Sequence, residues 1–326
     1  MLAATELGDQ PVKVRVAGSA YVLFRDAQGR PAALADACPH RGASLSRGVV
    51  TGGRITCPYH GWSFDRDGGG ACPSQPTLRC ETAPFQVAEK YGHLWLAERG
   101  VPASSIPELG SPGFQFVGGV SVLFQTSLEI LLDNFAEDEH IPMVHNVFGW
   151  STEQWGDVAF DAKNFDDRTE VMYRGPQRNV PGVMQLLGLT RHDTFHNQWV
   201  TRFDPVRFSF EFRWLEPGSQ RERPTAINLC VIMVPETETT TRHFTFIHTR
   251  LSPRLERLRP IVDRVFRVLT KREVLADAKF LECVPVDWDP RGARLNKYDK
   301  PIVHNRKLLR ERYWAAAPES TEARLS

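Results

Sequence analysis

One stretch limits this chain more than any other, CPHRGASLSRGVVTGGRITCPYHGW, from Cys38 to Trp62. It holds a C-x-H pair (Cys38, His40) and a C-x2-H pair (Cys57, His60), separated by sixteen residues. Proline and glycine surround both pairs, so two hairpin-like loops would each present one thiolate and one imidazole to a shared centre. Zinc accepts a Cys2His2 set. A [2Fe–2S] cluster with two thiolates on one iron and two imidazoles on the other uses the same donors. Zinc fingers usually group both cysteines on one side and both histidines on the other, whereas here each loop is mixed.

The flanking residues decide. CPHRGA and CPYHGW closely resemble the two halves of the Rieske signature, and the sixteen-residue gap suits it. The resemblance implies a [2Fe–2S] cluster on Cys38, His40, Cys57 and His60. Rieske proteins of respiratory complexes carry one more cysteine in each loop, joined as a disulfide. Ala43 and Tyr59 stand at those positions, so the likeness is to the oxygenase or ferredoxin kind. Tyr59 and Trp62 are candidates to tune the cluster through its surroundings, and Trp62 equally for packing under the loop.

A second histidine pair follows in LLDNFAEDEHIPMVHNVF. On a continuous helix His140 and His145 would point about 140° apart, so a break at Pro142 is expected to bring them to one centre. With the upstream motif, this segment resembles the N-x2-D-x2-H-x4-H stretch of Rieske non-heme iron oxygenases. Asn134, Glu137, His140 and His145 take its four places. The family usually has Asp where this chain has Glu137, and Asp138 is the rival for that role. In relatives this acid links a cluster histidine to an iron-ligand histidine across a subunit boundary.

Iron of this kind needs two histidines and one carboxylate with positions left open. In REVLADAKFLECV, Asp277 shares a helical face with Val274, Ala278 and Leu281, where a carboxylate needs a partner or a metal. The family's late E-D-x-x-[IL]-L-E pattern also aligns there. Glu282, Asp287 and Asp289 are the alternatives and read as solvated acids.

Residues 11 to 100 read as short strands and turns (VKVRVAG, AYVLFRD and HLWLAE between DAQGR, TGG and DRDGGG), an all-β domain. The loop RGVPASSIPELGSPG follows, giving domains of 1–105 and 106–326. The second domain combines a helix over SLEILLDNFAEDEH that ends near Pro142 with the strands VTRFD, FSFEFRWLEP, AINLCVIMVP and RHFTFIHTR. A long helix bent near Pro260 closes it. That is α+β with an antiparallel sheet. Phe208, Phe210, Phe212 and Trp214 fall on one strand face. A net charge of +1 gives no reason to expect nucleic acid or an anionic membrane. No apolar run reaches bilayer length and no export signal is evident, so a cytoplasmic protein is expected. Six cysteines are too few and too scattered for a disulfide scaffold. Cys72, Cys80, Cys230 and Cys283 are expected as free thiols.

The resemblance as a whole implies the terminal oxygenase α subunit of a Rieske system, with a helix-grip catalytic domain in a head-to-tail homotrimer. Its cofactors would be the [2Fe–2S] cluster and a mononuclear Fe(II) on His140, His145 and Asp277. O2 would be co-substrate, with electrons from NAD(P)H through a flavin reductase, with or without a ferredoxin. The short Asn-x2-acid-x2-His motif lies nearer the α-only hydroxylases and demethylases, so monooxygenation of a small organic molecule is expected, with ring cis-dihydroxylation second. An electron carrier fused to a binding module, without catalytic iron, is the non-enzyme alternative. Met143, Phe148, Trp150, Met184, Phe210 and Phe246 are candidate pocket walls, and the remaining histidines read as core or surface residues.

Overall fold

Alternating apolar strands broken by glycine turns build the first hundred residues into two antiparallel sheets. The computed structural model describes residues 1–285 and 288–314, with all their side chains except those of Pro181 and Met184. Asp287, one of the alternative acids, and the Met184 side chain lie outside the described residues. The larger first sheet contains β1 (Leu2–Ala3), β2 (Val12–Val16), β3 (Ser19–Arg25) and β4 (Pro31–Ala35). The smaller comes next in the chain as β5 (Val49–Thr51), β6 (Arg54–Thr56), β7 (Ser63–Phe64) and β8 (Gly70–Ala71). Then β9 (Pro84–Lys90) and β10 (His93–Ala97) return to the larger, whose order is β1-β10-β9-β4-β3-β2. Val22, Phe24, Leu34, Leu45, Ile55 and Phe64 bury a core beneath the two Cys-His loops, and Cys38 and Cys57 belong to it.

The second unit is a seven-stranded antiparallel sheet with helices on one face. It starts with β11 (Gln115–Phe124), α1 (Leu128–Asn134) and the one-turn α2 (Ile141–Val144). Next come β12 (Ala159–Asn164), β13 (Thr169–Pro176), α3 (Pro181–Leu187), β14 (Thr194–Phe203), β15 (Val206–Leu215), β16 (Ala226–Pro235) and β17 (Thr241–Arg250). The helices α4 (Pro253–Glu256), α5 (Arg259–Leu281) and α6 (Lys300–Leu308) complete it. Sheet order is β11-β17-β16-β15-β14-β13-β12, so the first strand pairs with the last. Helix α5 packs on β11 where a bulge places Gly118 at φ +149°. A Cβ there would lie 2.9 Å from Arg267 Cδ, so glycine lets the helix approach the strand. The chain divides into compact units of residues 1–108 with 235–238, and 109–234 with 239–326. Among the described residues no helix is long and apolar enough to cross a membrane.

Phe208, Phe210 and Trp214 are buried on one face of β15, as their alternation requires. Two helix ends differ from expectation. Helix α1 stops at Asn134, and Pro142 sits in the first turn of α2, where its missing N–H leaves no hydrogen bond unmade. The long helix is not bent at Pro260: α4 ends at Glu256, and α5 begins afresh with Pro260 in its first turn.

Candidate metal centres and the catalytic cavity

The two Cys-His loops are built alike. Cys38 N donates to Ala43 O at 2.8 Å and Gly42 N to Cys38 O at 2.8 Å. Cys57 N donates to Trp62 O at 2.7 Å and Gly61 N to Cys57 O at 3.1 Å. Gly42 at φ +70° and Gly61 at φ +73° make the left-handed turns that close both loops. The result sinks Cys38 and Cys57 into the core and leaves His40 half-buried and His60 exposed. The imidazoles of His40 and His60 lie 4.5 Å apart. Trp62 stacks flat on His40 at 4.7 Å, and Tyr59 lies 3.8 Å from His60. Burial, with Cys57 close by, pushes the Cys38 thiol up, so a positive partner is needed to hold it as a thiolate. The buried His40 Nδ1 has no hydrogen bond. Two buried thiols beneath two outward imidazoles fit a cluster with sulfur ligands inside and nitrogen ligands at the surface. All six cysteines are free of disulfides.

In the second unit, His140, His145 and Asp277 come together. His140 Nε2 and His145 Nε2 are 3.2 Å apart, and Asp277 Oδ1 lies 3.6 and 3.2 Å from them. Donors at right angles around a first-row ion with bonds of about 2.0–2.2 Å lie about 3 Å apart, close to these separations. His140 is the N-cap of α2 and His145 its C-cap, where the backbone turns extended (ψ 155°). That turn, rather than Pro142, swings the second ring to face the first. Asp277 enters from α5, where Val274 and Leu281 are buried with it. Glu282 and Asp289 are exposed, and Asp289 is paired with Arg291.

The outer ring atoms are also held. Glu137 Oε1 accepts from His140 Nδ1 at 2.6 Å, and Glu273 Oε2 lies 3.2 Å from His145 Nδ1. Both imidazoles can therefore turn Nε2 lone pairs inward toward a carboxylate. Burial opposes charge on both histidines, yet Glu137 outweighs it at His140. Asp277 and Glu273 outweigh it at His145, which is held up at about 10. Burial likewise opposes charge on Asp277, but His145, His140 and the Asn134 side chain hold its carboxyl below the usual range. Asp277 Oδ1 is buried and has no hydrogen bond of good geometry. Two inward nitrogens and an unsatisfied carboxylate oxygen form a set able to hold a metal ion, and these donors suit a first-row metal with open positions.

Residues 1–91 match the Rieske [2Fe-2S] domain, and residues 124–310 match the vanillate O-demethylase oxygenase C-terminal domain. The chain belongs to the Rieske oxygenases. Its cofactors are accordingly a [2Fe–2S] cluster and a mononuclear iron. The oxygenase component of dicamba O-demethylase from Stenotrophomonas maltophilia is 28% identical over 254 residues, 73% of each chain. Chlorophyllide a oxygenase of Chlamydomonas reinhardtii is 36% identical over 144 residues, 42% of this chain but 22% of that one. The fold is that of the dicamba monooxygenase crystal structure with 3,6-dichlorosalicylic acid, at a TM-score of 0.71 and 22% identity, covering 95% of this chain and 94% of that one.

In this Rieske oxygenase the three donors open onto a cavity of ≈ 940 Å³, counted with its mouth. Phe148 and Phe210 line it as expected. Three other candidate walls do not: Met143 is 77% exposed at the surface, and Trp150 and Phe246 are fully buried elsewhere in the packing. Asp138 is buried and accepts from Asn197 Nδ2 at 2.7 Å. Burial pushes it up to about 7, and the Asn197 bond opposes that. Its carboxylate is thus turned to the cavity, and Glu137 is the acid on His140. Arg178, just beyond β13, ties down the loop after His145, donating to the carbonyls of His145 and Trp150. His243, fully buried beside Phe124 and Phe135, is held down to about 4 by burial, with Asp277 opposing. Glu273 was readable from its place one turn before Asp277 on the same helix face. Asn197 and Arg178 carry no local signal, because only the sheet brings them to the site.

Proposed function

We propose that this chain is the terminal component of a monooxygenase that hydroxylates a C–H bond or oxidatively removes an O- or N-alkyl group from a small organic, aromatic or polycyclic molecule. The observation that carries it is the convergence of two histidines and a buried carboxylate at the end of an apolar cavity. Relatives support the same chemistry: dicamba O-demethylase, methylxanthine N1-demethylase of Pseudomonas putida and 4beta-methylsterol monooxygenase of Methylococcus capsulatus. Residues 1–105 would hold the cluster on Cys38, His40, Cys57 and His60. Residues 106–326 would hold iron on His140, His145 and Asp277. Bound there, the cluster supplies single electrons and the iron activates O2. The remaining work falls to the protein: Glu137 fixes the His140 ring, Asn134 steadies Asp277, and the aromatic walls exclude water and orient the substrate.

Glu137 and His140 also line a shallow hollow on the outer side of the site, with Trp288 and Leu295 at its rim. Such a face suits the exposed His60 loop of a neighbouring subunit, with Glu137 accepting from both imidazoles. This favours the head-to-tail homotrimer, supplied with electrons from NAD(P)H by a reductase, with or without a ferredoxin. Free thiols in every described cysteine suit a cytoplasmic location. The test is a screen of methoxy- and N-methylarenes for substrate-dependent consumption of NADH and O2, with a compatible reductase and both metals loaded. Stoichiometric release of formaldehyde from a methoxyarene is expected. A cis-diol product would move the enzyme to the dihydroxylases, and two irons per chain with no turnover would make it a carrier.

A further inference from the structure

Asn197 lies on the inward face of β14, in register with Tyr173 on one side and Phe212 on the other, and is 1% exposed. Its Nδ2 donates to Asp138 Oδ2 at 2.7 Å, which orients the amide and leaves Oδ1 as the free end. That oxygen is buried without a hydrogen bond at a residue that lines the cavity. A buried acceptor in this state is unfavourable until something donates to it. The cavity walls Phe195, Phe210, Phe212, Ile227 and Leu229 present only carbon, and the hydroxyl of the cross-strand Tyr173, itself buried, makes no hydrogen bond to it. The hydroxyl of Thr245 lies 3.4–3.5 Å from the His243 ring nitrogens, and a mid-helix hydroxyl such as Thr270 can turn to the carbonyl a turn before it.

Beyond the metal donors, the cavity wall offers no cationic side chain among the described residues: its carboxylates are Glu137, Asp138, Glu273 and Asp277, and no Lys or Arg lines it. Away from the metal donors, an anionic group would lose its hydration without gaining a cationic partner. A neutral aromatic with an O–H or N–H would bury its rings against the phenylalanines and satisfy Asn197.

We infer that the substrate is an uncharged, largely aromatic molecule carrying one O–H or N–H, and that Asn197 Oδ1 accepts that hydrogen and so selects and orients it. Calling this ligand the substrate rests on the monooxygenase reading, but the binding preference is independent of it.

The test titrates the metal-loaded enzyme under argon with three fluorescent probes: 6-methoxy-2-naphthol, 6-methoxy-2-naphthoate and 2-methoxy-6-methylnaphthalene. The naphthol should bind roughly tenfold tighter than the methyl compound, the weight of one buried hydrogen bond, and at least ~100-fold tighter than the carboxylate. Asn197→Leu should bring the naphthol down to the methyl compound while leaving the latter's affinity within about twofold. Should that variant fail to fold, the wild-type rank order stands as the test. Equal or tighter binding of the carboxylate, no advantage for the naphthol, an advantage that survives Asn197→Leu, or no binding by any probe would each overturn the inference. If the probes bind in the expected order but none draws O2 consumption, the reaction assignment fails and the binding preference remains.

Discussion

Glu137 is one methylene longer than the aspartate usual at its place in the family, and the structure shows where the extra length goes. Its side chain folds back so that Oε2 accepts from the backbone N–H groups of Glu139 and His140, while Oε1 takes the His140 Nδ1–H. A carboxylate has about four acceptor sites, so one remains for a second imidazole. Glu137→Gln should keep both metals yet slow electron delivery in single turnover of pre-reduced enzyme with substrate and O2. Glu137→Asp should be intermediate, because the shorter arm cannot reach both backbone and ring. Asp138→Asn should deliver electrons at the normal rate, since its carboxylate faces Asn197. The reverse pattern would return the bridging role to Asp138. Asp277 permits a cleaner separation. Asp277→Ala removes the one carboxylate that both Nε2 atoms face, and mononuclear iron affinity should fall by ~10–100-fold or more. The low-g Rieske EPR signal should be unchanged, because the proposed cluster ligands lie in the other unit. Iron retained at full stoichiometry would assign the ligand to another acid.

The elements that carry these residues are held less by propensity than by a few tertiary ties. Helix α2 is one turn long and cannot hold itself, and Arg178 secures its C-terminal loop by donating to the carbonyls of His145 and Trp150. Arg178→Met should therefore lower iron affinity by roughly 10–100-fold with the cluster spectrum intact. Arg178→Lys should rescue little, since a point donor cannot span both carbonyls as the guanidinium fork does. An iron titration with metal analysis decides; wild-type affinity in Arg178→Met would show that the loop needs no such tie. The same distinction explains how much was legible in the sequence. β15 and the buried face of α5 declared themselves by spacing, because burial alone sets their pattern. The Cys-His loops did so because their ligands are close in the chain. The end of α1 at Asn134 did not, since the turns after it are shaped by Asp138 reaching Asn197 and His145 reaching Asp277. β11 was hidden by its glycine pair, and β12 by polar residues on an edge strand. The position of Asn197 depends on sheet register, which no local pattern reveals.

At the scale of the whole molecule, the proposed cluster ligands and the proposed iron ligands fall in two compact units with separate cores. In the proposed head-to-tail trimer, one chain's cluster would serve another chain's iron. Two variants make this testable: Cys57→Ser, which removes a proposed cluster thiolate, and Asp277→Ala, which removes the proposed iron carboxylate. Each alone should be inactive, the first lacking electrons and the second lacking the oxygen site. Co-expressed with different tags and purified through both, they should form mixed trimers. In a head-to-tail ring, every mixed trimer has one place where an intact cluster faces an intact iron site, so roughly one site in three should work. Activity near that level, absent when the separately purified proteins are mixed without exchange, is the expected result. If each cluster served the iron of its own chain, no mixed trimer could contain a competent pair. Complete inactivity of correctly metallated hetero-oligomers would then place the electron path within a single chain.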